Sequence, residues 1–249
     1  MFRLKKWDEL PEFMKNDDVA EYYGILSRHK ASIFLKRCFD ITAAVLIAVV
    51  LLPVMAVLAV MIKTDSPGPV IFCQERVTAY GRKFRIYKFR TMVNGADKNG
   101  AAVTSKADAR ITRVGKLLRS KRLDELPQVF NVIKGDMSFV GTRPEVPGYV
   151  AEYQPYMTAT LLLPAGITSI TSILYKDEER LLENATDADY VYINRVLPEK
   201  MQYNLRAIRE FSMWNDIKIM LMTVFAVFGV EYKNKYKMTE DTKKLSKIN

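Results

Sequence analysis

The strongest pattern in the chain is an unbroken apolar run, residues 41–62 (ITAAVLIAVVLLPVMAVLAVMI), with no charged side chain in 22 positions. As a straight helix it would reach about 33 Å, enough to span the hydrocarbon core of a bilayer. It starts too late, and with the wrong flanks, for a cleaved signal peptide. A buried core helix is the soluble alternative, but such helices seldom go six turns without a polar face. Pro53 divides the run into arms of twelve and nine residues, and a proline inside a helix costs roughly 3 kcal/mol or more. Both flanks are basic: Arg28, Lys30, Lys36 and Arg37 precede the run, and Lys63, Arg76, Arg82, Lys83, Arg85, Lys88 and Arg90 follow it. The positive-inside rule puts both flanks on the cytoplasmic side. A bent, re-entrant helical hairpin over residues 36–63, broken at Pro53, meets both conditions. A spanning helix kinked at Pro53 is the competing reading. Lys36, Arg37 and Asp40 stand at the entrance, Arg37 and Asp40 on one helix face, and are expected to anchor the helix near lipid phosphates.

Shorter periods organise the rest. In residues 1–35, Trp7, Leu10, Phe13 and Met14 recur at helical spacing, and Tyr22, Tyr23, Ile25 and Leu26 form a second cluster. This predicts an amphipathic extension of one or two short helices on the membrane or on the body. After the turn cluster at residues 65–69, strand-like runs at 70–73 and 84–89, joined through Tyr80-Gly81, predict a β-hairpin. Residues 94–109 read as a mobile loop. Helices are predicted over 111–122, 128–134 (with Pro127 in its first turn), 178–182, 198–211 and 213–228. Within the last, residues 219–230 carry no charge but are too few to span; they should pack on the body or lie in the membrane interface. The expected fold class is α+β and mostly helical: a re-entrant membrane helix joined to a compact cytoplasmic domain over residues 64–230, with a small β-hairpin and a basic, disordered tail over 231–249.

Charge narrows the partners. The formal net charge is +10, and residues 63–143 carry seventeen Lys/Arg against seven Asp/Glu, while the segments on either side are nearly balanced. One sector therefore faces an anion, whether phosphate, lipid headgroup or nucleic acid. A solvated basic face is the plain alternative, and no aromatic-basic module supports nucleic acid. Two cysteines, Cys38 and Cys73, exclude a disulfide scaffold and a cysteine metal cage. The single histidine, His29, excludes His-rich zinc sites and argues against a Ser-His-Asp triad. Carboxylates, arginines and a hard metal are left to carry any chemistry.

Asp124 and Glu125 lie within Arg119-Ser-Lys-Arg-Leu-Asp-Glu-Leu-Pro-Gln128. Surface pairing with Arg119, Lys121 and Arg122 would explain them and be worth little. The functional alternative is a carboxylate nucleophile beside a metal ligand. An aspartate can attack phosphorus to form an acyl-phosphate, and neighbouring arginines would keep Asp124 ionised and stabilise the transferring phosphoryl group. Mg²⁺ held by one or two carboxylates and substrate phosphates is the usual companion.

The stretch from Lys36 to Pro144 resembles the bacterial sugar transferases that act on polyprenyl phosphate, the monotopic phosphoglycosyl transferases in their small, PglC-like form. The matching pieces are Lys36-Arg-Cys-Phe-Asp40, Ser66-Pro-Gly-Pro69, Lys88-Phe-Arg-Thr-Met92, Arg110-Ile-Thr112, Gly115 and Leu118-Arg119. They continue through Leu123-Asp-Glu-Leu-Pro-Gln128, Asn131-Val-Ile-Lys-Gly-Asp-Met-Ser138 and Val140-Gly-Thr-Arg-Pro144. Asp216-Ile-Lys-Ile-Met220 with Thr223 is similar to the family's last helix. The resemblance implies transfer of a sugar-1-phosphate from a nucleoside diphosphate sugar, usually UDP-linked, to undecaprenyl phosphate, with release of UMP. Asp124 would form a phosphosugar intermediate, and Glu125, with Asp124, would hold Mg²⁺ on the diphosphate. Arg119 and Arg143 are the expected phosphate clamps, with Lys88, Arg90 and Arg110 in reserve, since arginine can grip a phosphate through two bonds at once. The implied location is the bacterial inner membrane, with the catalytic domain on the cytoplasmic face and membrane lipids as partners.

Several positions depart from the family pattern. Leu52-Pro53 stands where the family bends at Ser-Pro, Arg122 precedes Leu-Asp-Glu in place of serine, and Thr142 replaces the first proline of Gly-Pro-Arg-Pro. Ala109 interrupts the family's Asp-Pro-Arg-Ile-Thr. Pro164-Ala-Gly-Ile-Thr-Ser169, followed by acidic Asp177-Glu-Glu179, is where sugar recognition is expected; a solvated helix start is the plainer reading of those acids. Two other functions fit the same residues: a phosphohydrolase with water as acceptor, and a non-catalytic adaptor on anionic lipid.

Overall fold

The computed structural model describes residues 2–96, 108–175, 187–227, 230 and 232. The helix expected over 178–182, the acidic Asp177-Glu-Glu179, most of the loop over 94–109 and the tail beyond residue 232 lie outside the described residues.

Asn16 opens α1 (Asp17–Ser27) by accepting the Val19 amide at 3.0 Å. Leu10, Met14, Val19, Tyr22 and Leu26 pack on the body, one of the two expected placements. They are buried with Leu161, Leu162, Leu205, Ile208 and Phe211 and complete one end of the core.

α2 (Lys30–Asp65) is a single helix of 36 residues, about 54 Å long. It starts six residues before the expected boundary and runs through Pro53, so the predicted two-armed hairpin is corrected to one long helix. Two facts account for the continuity. Proline deletes only one main-chain bond, and body contacts hold the helix on both sides of it. Ala44 and Ala48 pack with Phe84, Ile86, Val129, Val132 and Met137; Met55, Leu58 and Ile62 pack with Phe89 and Leu118. The buried positions 33, 36, 37, 40, 44, 48, 55, 58 and 62 recur at helical spacing along its whole length. The opposite face, including Leu46, Val49, Val50, Leu52, Val57 and Val60, is exposed. Among the described residues this is the one helix long and apolar enough to cross a membrane.

The polar residues at its entrance are also corrected. Lys36, Arg37 and Asp40 are buried against the body rather than presented to lipid phosphates. Lys36 Nζ lies 2.6 Å from Asp216 Oδ2. Arg37 donates to the carbonyls of Met137 and Val132 at 3.1 and 2.7 Å, and Asp40 Oδ2 accepts Ser138 Oγ at 2.7 Å. A charge taken out of water needs such partners; here they fasten the helix to the body.

β1 (Ile71–Val77) and β2 (Lys83–Phe89) form the expected antiparallel hairpin, registered from Ile71↔Phe89 to Val77↔Lys83. Phe84, Ile86 and Phe89 of β2 are buried and supply the surface on which α2 lies. α3 (Arg113–Ser120) is capped by Thr112, which accepts the Gly115 amide at 3.0 Å. It approaches the main chain so closely that a Cβ on Gly115 would sit 2.0 Å from the Thr91 carbonyl oxygen. α4 (Gln128–Lys134) leads into β3 (Met137–Val140), which pairs in parallel with β4 (Ala165–Thr168), a second sheet the sequence did not announce. Between these strands come α5 (Pro147–Ala151) and a 3₁₀ stretch, Pro155–Leu162. α6 (Ile170–Leu174) follows β4. α7 (Ala188–Val191), a π turn (Tyr192–Val196), α8 (Leu197–Arg209) and α9 (Met213–Val227) close the described chain. The mostly helical α+β class is as predicted.

Candidate active site

The site is built on a short 3₁₀ turn, Leu123–Glu125, between α3 and α4. Leu123 and Leu126 pack down on the cluster of Met55, Leu58, Ile62, Phe89 and Leu118, so the second half of α2 is the floor beneath the turn. The turn is entered through Arg122, held in the left-handed region at φ 53°. A side chain pays for that conformation in strain, and such strain is found chiefly where surrounding structure enforces it, as at functional sites.

Two strands aim cations at Glu125. Lys88, near the end of β2, places Nζ 3.1 Å from Glu125 Oε1; Arg143, just beyond β3, places Nη2 2.7 Å from the same oxygen. Lys88 is positioned through Asn131, a residue to which the sequence assigns no role. Asn131, fully buried in α4, accepts the Tyr87 amide at 2.9 Å and donates to the Arg85 carbonyl at 2.8 Å. Its side-chain amide stands in for a neighbouring strand and fixes the edge of β2. An asparagine in the interior of a short helix is the available signal, since its side chain favours backbone partners over helix.

The two carboxylates are electrostatically unequal. Burial alone would raise the Glu125 carboxyl, but Arg143 and Lys88 outweigh it and hold this group well below the usual carboxylate range. Asp124 moves the opposite way. Burial raises it and the Glu125 charge adds to that, against the pull of Lys88 and Arg119. Arg119 pulls the Asp124 value down, as expected of a nearby arginine, but burial outweighs that pull. Lys88 is lowered by burial and by Arg143, with Glu125 opposing. Paired groups pushed apart in this way suit an ionised anchor beside a group that changes state.

The remaining expected clamps separate. Arg119 is half-buried and donates from Nε to Thr91 Oγ1 at 3.0 Å, within electrostatic reach of Asp124. Arg90 is not a phosphate clamp. It is buried and donates to the carbonyls of Pro67 and Ser66 at 2.8 and 2.6 Å, strapping the end of α2 to the end of β2. Arg110 grips Asp108, with Nη2 2.6 Å from Oδ2, and donates to the Ala96 carbonyl at 2.7 Å. It thereby joins the two chain ends that flank residues 97–107 and is not drawn toward the dyad. The hydrogen bonds from Arg110 hold the Asp108 carboxyl down at about 2. Among the described residues, no three His, Cys, Asp or Glu side chains gather into a metal cage.

The sequence profile of the family described as Bacterial sugar transferase matches residues 31–230. The chain is 40% identical over 194 residues to the UDP-N-acetylgalactosamine-undecaprenyl-phosphate N-acetylgalactosaminephosphotransferase of Aeromonas hydrophila, covering 77% of this chain and 43% of the relative. It is 38% identical over 198 residues to the UDP-glucose:undecaprenyl-phosphate glucose-1-phosphate transferase of Klebsiella pneumoniae, covering 78% and 40%. Against the transferase of the same name from Caulobacter vibrioides, identity is 36% over 202 residues, covering 76% and 68%. The chain thus spans less than half the length of the first two relatives.

Proposed function

Because the chain belongs to the bacterial sugar transferase family, we propose that it transfers a sugar-1-phosphate from a UDP-linked sugar to undecaprenyl phosphate, opening the assembly of a bacterial surface glycan. In this reading an Asp124 carboxylate oxygen attacks the β-phosphorus, the bond to the bridging oxygen breaks, and UMP leaves with that oxygen. An oxygen of undecaprenyl phosphate then attacks the same phosphorus, frees Asp124 and forms the diphospholipid-linked sugar. The single observation that carries this is the Asp124-Glu125 turn, with Glu125 paired to Lys88 of β2 and to Arg143 just beyond β3. Lys88 and Arg119 favour the ionised form of Asp124 that the attack requires. Arg143 and Arg119 are the groups best placed to meet the diphosphate.

The donor set also fits magnesium, which is ordinarily held by one or two carboxylates with substrate phosphates completing the shell. Asp124 and Glu125 would hold it, and bound there it would neutralise charge on the diphosphate.

A membrane disposition follows from the two faces of α2. Both ends of the helix pack on one body, which supports both ends on one side, while its outer face is apolar. Trp214, Leu221, Val224 and Phe225 of α9 add exposed apolar surface. The reading puts the outer face of α2 in the cytoplasmic leaflet of the inner membrane and the dyad at headgroup level, where a soluble donor can meet a lipid phosphate.

The test is a panel of nucleotide sugars assayed for UMP release with and without undecaprenyl phosphate, followed by peptide mass analysis after donor alone. Lipid-dependent turnover and a phosphosugar on Asp124 are expected. Turnover indifferent to lipid would favour the hydrolase, and an adduct on another residue would overturn the nucleophile assignment.

A further inference from the structure

Arg143 begins a run of three residues that is held from several directions. Its own side chain meets Glu125 at 2.7 Å. The carbonyl of Pro144 accepts Arg76 Nη1 at 3.2 Å, and the carbonyl of Glu145 accepts the Val77 amide at 3.0 Å. The Glu145 side chain turns inward to a buried cluster. Tyr192 donates its hydroxyl to Glu145 Oε1 at 2.6 Å, Lys200 Nζ reaches the same oxygen at 3.3 Å, and Lys200 Nζ lies 2.8 Å from the Tyr192 hydroxyl. All three residues are buried.

Two features make this cluster more than packing. Burying a lysine and a glutamate together brings little net stability, because desolvation offsets the attraction; its best-attested use is to fix one arrangement over others. The helix also adjusts to present them. Residues eight apart sit about 80° apart around a regular α-helix. Here the π turn Tyr192–Val196 lies between Tyr192 and Lys200, and its wider coil brings both onto the face that meets Glu145. Single π turns of this kind are frequent at functional sites.

We infer that Tyr192 and Lys200 are positioning residues for Arg143, acting through Glu145 to hold the guanidinium where it meets both Glu125 and the donor's diphosphate. The inference rests on the reading of Arg143 as a diphosphate ligand. It extends the working site to the π turn and α8, which contribute no group to the dyad itself.

A double-mutant cycle on the full chain in detergent micelles tests it, with UDP as the probe, affinity read by calorimetry and stability by thermal unfolding. Tyr192→Phe is expected to weaken UDP by about fivefold in the parent but by under about twofold in an Arg143→Lys background, the non-additivity of residues acting as a unit. The shift in unfolding midpoint should be the same in both backgrounds, which separates positioning from general loosening. Equal losses of affinity in the two backgrounds, or no loss from Tyr192→Phe alone, would overturn the inference. If Arg143→Lys itself leaves UDP affinity unchanged, the reading of Arg143 fails, and this inference goes with it. Glu145→Gln carried through the same cycle serves as the second arm should Tyr192→Phe not fold.

Discussion

At the scale of single residues, the unequal carboxylates make opposite contributions to stability. Asp124 has a raised value in the folded chain, so above the ordinary carboxylate range its ionisation works against the fold, and the protein gains stability as pH falls through that raised value. Glu125 is depressed. Its contribution is complete above an unfolded value of about 4.3 and disappears as pH falls through the folded one. At neutral pH, Asp124→Asn should therefore raise the unfolding midpoint while cutting turnover by roughly a thousandfold or more. Glu125→Gln should instead lower stability by about 1–3 kcal/mol, because Lys88 and Arg143 lose their buried counter-charge. Thermal unfolding of the two variants beside UMP-release rates checks the pair; a shared sign in the two midpoints would refute it. Since a carboxylate nucleophile must be ionised, the acid limb of kcat/KM should lie above the ordinary aspartate value of about 3.9, read from a pH–rate profile.

At the scale of elements, Gly115 sets how closely α3 sits on the chain around Thr91. Gly115→Ala should cost about 1–3 kcal/mol, because the added methyl would overlap the Thr91 carbonyl and push away the helix that carries Arg119. Urea unfolding measures the loss, and an unchanged midpoint would show that α3 can shift freely. Elements also mark where sequence reading succeeds and fails. The hairpin was legible because β2 alternates, with Phe84 and Ile86 inward. β3 and β4 were not: four-residue strands with buried positions on both faces have no period to read. Asp124 and Glu125 stood out as adjacent carboxylates in a basic sector. Arg90 and Arg143 look alike in sequence, and only the folded chain directs one to main-chain carbonyls and the other to Glu125. Lys36, Arg37 and Asp40 were misread for a related reason. Charges at the end of an apolar run suit a membrane interface as well as they suit Asp216, Met137 and Ser138, contacts lying about a hundred or more residues ahead.

At the scale of the whole molecule, body contacts run along α2 and leave its opposite, apolar face exposed, and the proposed placement of that face in one leaflet predicts where the helix ends react. With Cys38 and Cys73 replaced, single cysteines introduced at positions 34 and 66 should both react with an impermeant thiol reagent only from the cytoplasmic side of inverted and right-side-out vesicles. Labelling of either from the opposite side would establish a crossing. The same contacts have a practical corollary for handling the protein. Met55, Leu58 and Ile62 pack with Leu123 and Leu126, so α2 also supports the turn that carries Asp124 and Glu125. Trimming residues 30–65 to obtain a freely water-soluble protein would take that support away from the Asp124-Glu125 turn. The whole chain is therefore the unit to purify, with a surfactant clothing the exposed apolar flank of α2.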